Sequence, residues 1–335
     1  MRKSMFLVVL LLGIILCTAC SAPSADTQAL QITFANPQWD SVLVHNAIAG
    51  YIAETAFGYT WKEIPGSTPI TFEGLKNGDI DVYMEMWSQN LPSYQSDLDA
   101  QKFKELGINF ADNRQGVYVP RYVVEGEEVR GLAPLCPDLK TLADLKNYSH
   151  IFPDDEKPEM GRIYGAVPGW EANEILRKRV THLGLLENYV YFQPGSDAAL
   201  ATAISSAYAL GKPIAAYYWE PTWLTGLYDF ILLEDEPYRD EESYAAGETA
   251  FPSAKVTICA SNPFAEKAPE YCDFLSKYQT SSALTSAALA HMQKSNTTYL
   301  ETAKWFLREN DDLLTQWLPE SKAQAVRKAL AEEGK

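Results

Sequence analysis

The chain alternates between short β-strand patterns and helical patterns in two successive series. In the first series, alternating apolar residues predict strands at 30–35, 59–64 and 80–86, separated by helices at 42–55 and 71–77. A second series begins after residue 160, with predicted strands at 163–167, 190–192 and 213–219 and a helix at 197–209. Strands that alternate with helices are typical of largely parallel sheets with crossover helices. The sequence therefore predicts an α/β chain with two lobes.

The predicted strands at 230–233 and 256–259 lead back from the second series to the first, and the last third of the chain is predicted to be helical. We expect lobe 1 to comprise residues 30–118 and 235–335, and lobe 2 to comprise 119–234. Ligands of open α/β sheets bind at the carboxyl ends of strands, and cavities form preferentially between domains. A ligand cleft between the two lobes is therefore expected.

The amino terminus has the pattern of an export signal. Two basic residues, Arg2 and Lys3, precede an apolar run at 5–16 that is short for a permanent transmembrane helix. The run ends at Leu16-Cys17-Thr18-Ala19-Cys20, which resembles the lipobox of bacterial lipoproteins, although Cys17 stands where that motif usually has leucine. This resemblance implies a signal peptide at 1–19, a lipid anchor on Cys20 and a polar tether at 20–29. An uncleaved anchor helix is the alternative.

Composition excludes one class of partner and limits the disulfides. The formal net charge is −16, which argues against nucleic acid as a partner. Beyond the leader, three cysteines remain, so at most one disulfide can form; buried free thiols are the simpler expectation for a chain of this size. The three are Cys136, Cys259 and Cys272.

Four tryptophans lie directly after predicted strands, at the turns that lead into helices. They are Trp39 in Asn36-Pro37-Gln38-Trp39, Trp87 after Gly78-Asp79-Ile80-Asp81-Val82, Trp170 after Gly169, and Trp219 in Tyr218-Trp219-Glu220-Pro221-Thr222-Trp223. Any one of them could be an ordinary core residue. Four at equivalent topological positions instead indicate an aromatic binding site at the strand ends.

These motifs resemble those of the glycine betaine/carnitine/choline-type substrate-binding proteins of ABC importers. The resemblance rests on 78–87, Gly169-Trp170 and 218–223, together with the endings at 304–307 and 316–319, and it covers roughly residues 32–319. It implies a type II periplasmic-binding-protein-like fold and an extracytoplasmic protein that delivers its ligand to permease and ATPase subunits. It also implies an aromatic cage around a trimethylammonium group, formed by Trp87, Trp170 and Trp219.

The physical chemistry of such a ligand agrees with that implication. A quaternary ammonium group donates no hydrogen bond, so indole faces are suitable partners. For a ligand carboxylate, we expect the helix start after Gly169, at Glu171, to offer backbone N–H groups, with Trp39 nearby. Many relatives carry histidine where this chain has Thr222, so glycine betaine, carnitine, choline and other betaines remain open. Glu85 and Glu220 flank cage tryptophans and could orient them, add negative potential or be solvated.

An exported enzyme is the main alternative class. The chain has four histidines and shows no metal-ligand spacing, no Gly-x-Ser-x-Gly elbow and no glycine-rich phosphate loop, although a glycosidase-like carboxylate pair stays open. A receptor lobe that reports ligand to a sensor is a second alternative. We expect no enzymatic activity, no cofactor and no metal site.

Overall fold

The computed structural model describes residues 29–333 and contains two five-stranded sheets. The strands of the first sheet are β1 (Gln31–Asn36), β2 (Thr60–Pro65), β3 (Val82–Trp87), β4 (Lys104–Phe110) and β10 (Val256–Ala260). Those of the second are β5 (Gln115–Pro120), β6 (Gly161–Tyr164), β7 (Tyr189–Phe192), β8 (Ala215–Trp219) and β9 (Phe230–Leu232). The predicted signal peptide at 1–19, the anchor Cys20 and all but the last residue of the tether lie outside the described residues.

The two sheets have the same plan. Their strand orders are β2-β1-β3-β10-β4 and β7-β6-β8-β5-β9. In each sheet four strands run in one direction and the fifth is antiparallel to both of its neighbours: β10 in the first and β5 in the second. The chain passes to the second sheet between β4 and β5 and returns between β9 and β10. This confirms the predicted two-lobed α/β fold.

The helices connect the parallel strands and then form most of the carboxyl-terminal part. They are α1 (Asp40–Ile52), α2 (Thr68–Asn77), α3 (Tyr94–Asp99), α4 (Arg121–Glu125), α5 (Glu171–His182), α6 (Asp197–Ala209), α7 (Trp223–Leu227), α8 (Glu241–Ala245), α9 (Asn262–Lys267), α10 (Pro269–Lys277), α11 (Ser282–Ser295), α12 (Tyr299–Glu309), α13 (Asp311–Trp317) and α14 (Glu320–Glu332). Among residues 29–333, none of these helices is long and apolar enough to cross a bilayer.

Two elements differ from the sequence-based expectation. Strand β4 was not predicted, because its alternation is interrupted by Gly107 and its first two residues are charged and exposed. Strand β5 was not predicted either: the aromatic and β-branched residues at 116–124 form β-strand only to Pro120, after which the chain forms the short helix α4. The expected lobe boundary at residue 118 falls inside β5, which lies wholly in the second sheet.

The hydrophobic core holds the side chains that were not assigned to the site. Trp317 is buried and stacks on Tyr278 with ring centroids 4.4 Å apart, and Trp305 stacks on His291 at 4.0 Å. All three cysteines of the described residues are free and buried, at 136, 259 and 272. Each thiol therefore acts as a small apolar side chain.

Candidate functional site

A cleft between the two sheets contains all four tryptophans singled out from the sequence. Trp39 and Trp87 come from elements of the first sheet, and Trp170 and Trp219 come from the second. The space among these residues is about 450 Å³, part of it open to solvent. Its full lining is Trp39, Thr68, Trp87, Asn90, Leu91, Gln115, Trp170, Glu171, Ala172, Tyr217 and Trp219. We call this space the tryptophan cleft.

The position of each tryptophan follows from the strand-to-helix turns. Trp87 and Trp219 are the last residues of β3 and β8, while Trp39 and Trp170 stand immediately before α1 and α5 in extended conformation. The carboxyl ends of parallel strands meet at one edge of a sheet, so the two lobes present their tryptophans to the same gap.

Two unusual backbone conformations aim these side chains. Gln38 has φ +72°, and its N–H donates to Asn36 Oδ1 at 3.0 Å, which turns the chain just before Trp39. Gly169 has φ +92°, in the region that favours glycine, just before Trp170. Gly169 therefore acts through backbone geometry, and it is not among the residues that line the cleft.

The indole rings contact one another edge to face. Trp170 is central: its ring centroid lies 5.9 Å from that of Trp39, across the cleft, and 5.0 Å from that of Trp219. The interplanar angles are 84° and 85°. Rings at right angles present faces in different directions, which is the arrangement that surrounds a roughly spherical cation. Trp39, Trp87 and Trp219 are buried at the cleft wall, whereas Trp170 is half-buried.

Glu85 lies behind the two tryptophans of the first lobe. Its side chain is 0 % exposed, and its Oε1 accepts hydrogen bonds from Trp39 Nε1 at 2.9 Å, Trp87 Nε1 at 3.0 Å and Ser41 Oγ at 2.9 Å. Burial raises the pKa of this carboxyl to about 7, opposed by the three donated hydrogen bonds. The sequence left the role of Glu85 open; the structure places its Oε1 as the shared acceptor of both indole N–H groups.

The remaining polar lining is built from neutral amides and hydroxyls. Asn90 and Gln115 exchange hydrogen bonds of 3.3 and 3.4 Å, and these join the first lobe to the first strand of the second sheet. Tyr217 donates to Gln115 Oε1 at 2.9 Å and Tyr244 donates to Asn90 Oδ1 at 3.1 Å. Sequence reasoning did not assign Asn90, Gln115 or Thr68 to the site. The pairing of Gln115 with Trp219 across β5 and β8 places it there, and no local motif reveals that pairing.

The charge of the lining is negative. Among the described residues that line the cleft there is no lysine, arginine or histidine, and the one carboxylate is Glu171. Burial raises the pKa of Glu171 above its usual range. The first backbone amides of α5, those of Glu171 and Ala172, have no acceptor one turn earlier and lie at this wall. An anionic ligand group would therefore meet backbone N–H donors rather than a basic side chain.

The structure brings together most of the residues predicted for the site. Trp39, Trp87, Trp170, Trp219 and Glu171 share the cleft. Thr222 does not line it: its hydroxyl caps α7 by accepting from Thr225 N at 3.2 Å, and the residue is 3 % exposed.

Glu220, the other open carboxylate, also lies away from the cleft lining. It forms an ion pair with Arg114 at 3.3 Å and accepts a hydrogen bond from Tyr118 Oη at 3.2 Å. Among the tyrosines on or beside β5 and β8, Tyr217 lines the cleft, whereas Tyr118, Tyr122 and Tyr218 are buried in the second lobe. Chain neighbours of a cage tryptophan thus need not face the ligand.

Two α/β lobes with a cleft built at their strand ends define a two-lobed substrate-binding protein. The family model for the substrate-binding domain of ABC-type glycine betaine transport systems matches residues 31–309. The chain belongs to this family, and it is therefore a substrate-binding protein rather than an enzyme.

Named relatives are distant in sequence. The chain is 22% identical over 255 residues to the glycine betaine-binding periplasmic protein OusX of Dickeya dadantii, covering 72% of each chain. It is also 22% identical over 257 residues to the glycine betaine/proline betaine-binding periplasmic protein of Escherichia coli, again covering 72% of each.

Solved structures share the fold. The glycine betaine/L-proline-binding protein ProX from Borrelia burgdorferi has a TM-score of 0.69 at 18% identity, covering 88% of this chain and 99% of that one. Lactococcal OpuAC, closed on glycine betaine, has a TM-score of 0.67 at 18% identity, covering 87% and 100%. An ABC-transporter choline-binding protein with choline bound has a TM-score of 0.68 at 19% identity, covering 90% and 98%. At these low sequence identities, the similarity to the solved structures shows that the fold is shared.

Proposed function

We propose that this protein is the extracytoplasmic solute-binding component of an ABC importer, and that it captures a quaternary ammonium compound in the tryptophan cleft. The observation that carries the proposal is the meeting of Trp39, Trp87, Trp170 and Trp219 at one gap between the lobes. The loaded protein docks on the permease, and ATP hydrolysis belongs to a separate subunit.

The energetics of such a cleft suit a cation that cannot hydrogen-bond. Each indole face contributes about 0.5–2 kcal/mol, depending on how fully the contact is desolvated. Three faces thus supply roughly 2–6 kcal/mol, and burial of each methyl group adds about 0.8 kcal/mol. Micromolar binding requires about 8 kcal/mol. The aromatic contacts therefore account for a large part of the affinity, and the polar end of the ligand contributes the rest.

Glycine betaine is our first candidate ligand. Its carboxylate suits the unpaired amides of Glu171 and Ala172 at the start of α5, where the helix dipole favours an anion. Related proteins named for glycine betaine support this choice. Carnitine and other betaines also carry a quaternary ammonium group and a carboxylate, so they remain candidates.

Choline is the second candidate, and the charge of the cleft favours it. Within residues 29–333 no basic side chain lines the site, and Glu171 adds a negative charge beside the amides of α5. A ligand with a neutral hydroxyl suits Asn90 and Gln115, whose amide groups both donate and accept hydrogen bonds. An ABC-transporter choline-binding protein of the same fold, with choline bound, supports this candidate.

Binding is coupled to closure of the lobes in this proposal. Each lobe supplies two of the four tryptophans, so the complete cage exists only when the lobes approach each other. The ligand favours the closed form because it contacts more aromatic surface there. We also propose export through a signal peptide at 1–19 and lipid anchoring at Cys20, both of which lie outside the described residues.

A calorimetric panel tests the proposal and identifies the ligand. The protein from residue 21 onward would be titrated with glycine betaine, carnitine, proline betaine, choline and proline. Saturable binding of at least one quaternary ammonium compound, and not of proline, supports the function. Choline binding without betaine binding would discard the proposed carboxylate contact. Absence of binding by every quaternary ammonium compound would contradict the ligand class.

A further inference from the structure

Glu85 combines features that a purely structural residue does not need. It is a carboxylate without exposed surface, and none of the cations in residues 29–333 forms an ion pair with it. Its Oε2 is buried and has no hydrogen-bond partner. A buried carboxylate without a cationic partner is costly, and a neutral glutamine could also accept these hydrogen bonds without carrying a charge.

One oxygen atom of Glu85 connects two separate elements of the site. Trp39 precedes α1 and Trp87 ends β3, and both indoles donate to Oε1. Ser41 also donates to Oε1 and makes no side-chain cap for α1. All three donors therefore converge on a single acceptor, which fixes the two rings relative to each other.

The charge of this acceptor affects the rings that it holds. An indole whose N–H donates to an anion is polarised, and electron density moves toward its ring face. A more negative ring face attracts a cation more strongly. Glu85 is not among the residues that line the cleft, so it adds negative potential through the indoles that it holds rather than by contacting the ligand. A neutral acceptor would hold the rings but supply neither effect.

We propose that Glu85 is a positioning residue of the tryptophan cleft, which fixes Trp39 and Trp87 through one oxygen and uses its charge to strengthen their hold on the cationic end of the ligand. This inference rests on the proposed quaternary ammonium function. Its geometric part can be measured without any ligand.

The geometric part is tested by NMR of the ¹⁵N-labelled indoles. Trp39→Phe and Trp87→Phe assign the two indole N–H signals in the full mature protein. In Glu85→Gln both signals should move upfield by several tenths of a ppm, since a carboxylate acceptor is replaced by an amide. Glu54→Gln, the same change at an exposed glutamate, should leave both signals in place.

Because both indoles donate to the same oxygen of Glu85, a second NMR measurement is possible in a protein that keeps Glu85. It is informative even if Glu85→Gln does not fold. In Trp39→Phe, Oε1 loses one of its donors, so the signal of Trp87 should move downfield as its own hydrogen bond strengthens. An unchanged Trp87 signal in Trp39→Phe, or unchanged Trp39 and Trp87 signals in Glu85→Gln, would overturn the geometric part.

The charge part is tested by titration with tetramethylammonium, a cation without a polar end. We expect Glu85→Gln to weaken its affinity about tenfold, and Glu54→Gln, at an exposed position, to change it less than twofold. An equal affinity of wild type and Glu85→Gln would overturn the charge part. If the wild-type protein binds neither tetramethylammonium nor any ligand of the panel, the proposed function fails, while the indole signals still decide the geometric part.

Discussion

At the scale of single residues, Glu85 shows how a binding site can lower the stability of the protein that contains it. Burial raises the pKa of its carboxyl from 4.5 to about 7. Well below pH 4.5 the carboxyl is protonated in both the folded and the unfolded chain, so its burial does not lower the free energy of unfolding through ionisation. As the pH rises from 4.5 to 7, the unfolded chain ionises while the folded one stays largely protonated, and the stability cost grows to roughly 3 kcal/mol; above pH 7 both states ionise and the cost stays constant.

Glu85→Gln should therefore stabilise the ligand-free protein relative to wild type as the pH rises. The difference in unfolding free energy between the two should increase by roughly 3 kcal/mol from pH 4 to pH 8. Urea unfolding at both pH values measures it, with Glu54→Gln at an exposed position as the control. A difference that is the same at pH 4 and pH 8 would show that Glu85 titrates normally in the folded protein.

Ligand binding near pH 7 should release a proton from Glu85. A cation held by Trp39 and Trp87 lowers the pKa of the carboxyl behind them, so part of its proton leaves on binding. Calorimetric titrations at pH 7 in phosphate and in Tris, buffers of different ionisation enthalpy, should give different binding enthalpies. The difference should vanish in Glu85→Gln and persist in Glu171→Gln, the carboxylate that faces the cleft from α5.

The tyrosines and the histidine around Glu85 keep their protonation states in this range, whereas burial raises the pKa of Asp197, which lines a pocket with Ser41 and Trp219, to about 7. The buffer dependence should therefore persist in Asp197→Asn. Burial raises the pKa of Tyr83 and of Tyr278, so both remain protonated. Burial lowers the pKa of His45 to about 3, so that ring stays neutral. Burial also raises the pKa of Tyr217 and of Tyr244 on the cleft side. Equal enthalpies in the two buffers for wild type would contradict the proton release.

At the scale of elements, the turn between β6 and α5 determines where Trp170 points. Gly169 has φ +92°, and a Cβ at this position would meet nothing closer than Ser67 Cβ at 3.7 Å. The cost of a side chain there is therefore conformational rather than steric.

Gly169→Ala should destabilise the protein by about 1–3 kcal/mol and weaken ligand binding, because relief of the backbone strain moves Trp170. Thermal unfolding and calorimetric titration measure the two effects. Gly195→Ala is the matched control, since Gly195 lies in the same lobe without a positive φ and has open space around it. Wild-type affinity in Gly169→Ala would show that the turn does not position the ring.

In this structure Thr222 caps helix α7 and does not line the tryptophan cleft. Its hydroxyl and backbone form a reciprocal cap with Thr225 at the start of α7. Thr222→Ala should therefore cost about 1 kcal/mol of stability and leave ligand affinity within twofold of wild type. Urea unfolding and titration give the two numbers. A tenfold loss of affinity with unchanged stability would instead return Thr222 to the binding site.

At the scale of the whole molecule, the alternation of strands and helices was sufficient to predict two α/β lobes, because each parallel strand needs a crossover helix. The same pattern could not reveal β4, whose pairing with β10 joins residues about 150 positions apart in the chain. We propose that the lobe boundary lies between β4 and β5 on the outward pass and between β9 and β10 on the return.

The site was predictable to the extent that it follows from chain order. Four tryptophans that follow four strands in the sequence are sufficient to indicate the aromatic part of the site. The polar part depends on tertiary pairing: Asn90 and Gln115 meet only because β3 ends and β5 begins at the same gap. The contact of Glu85 with the site could not be predicted from the sequence either, because it depends on three hydrogen-bond donors that meet only in the folded chain.

The most direct test of the central claim is calorimetric titration of Trp170→Ala with the quaternary ammonium ligand that the panel identifies. Trp170 touches tryptophans of both lobes, so its removal should weaken binding at least tenfold and leave the fold intact. Trp305→Ala, at a half-buried ring that stacks on His291 away from the cleft, is the matched control and should bind like wild type. Wild-type affinity in Trp170→Ala, or an equal loss in both variants, would contradict a tryptophan cage at this cleft.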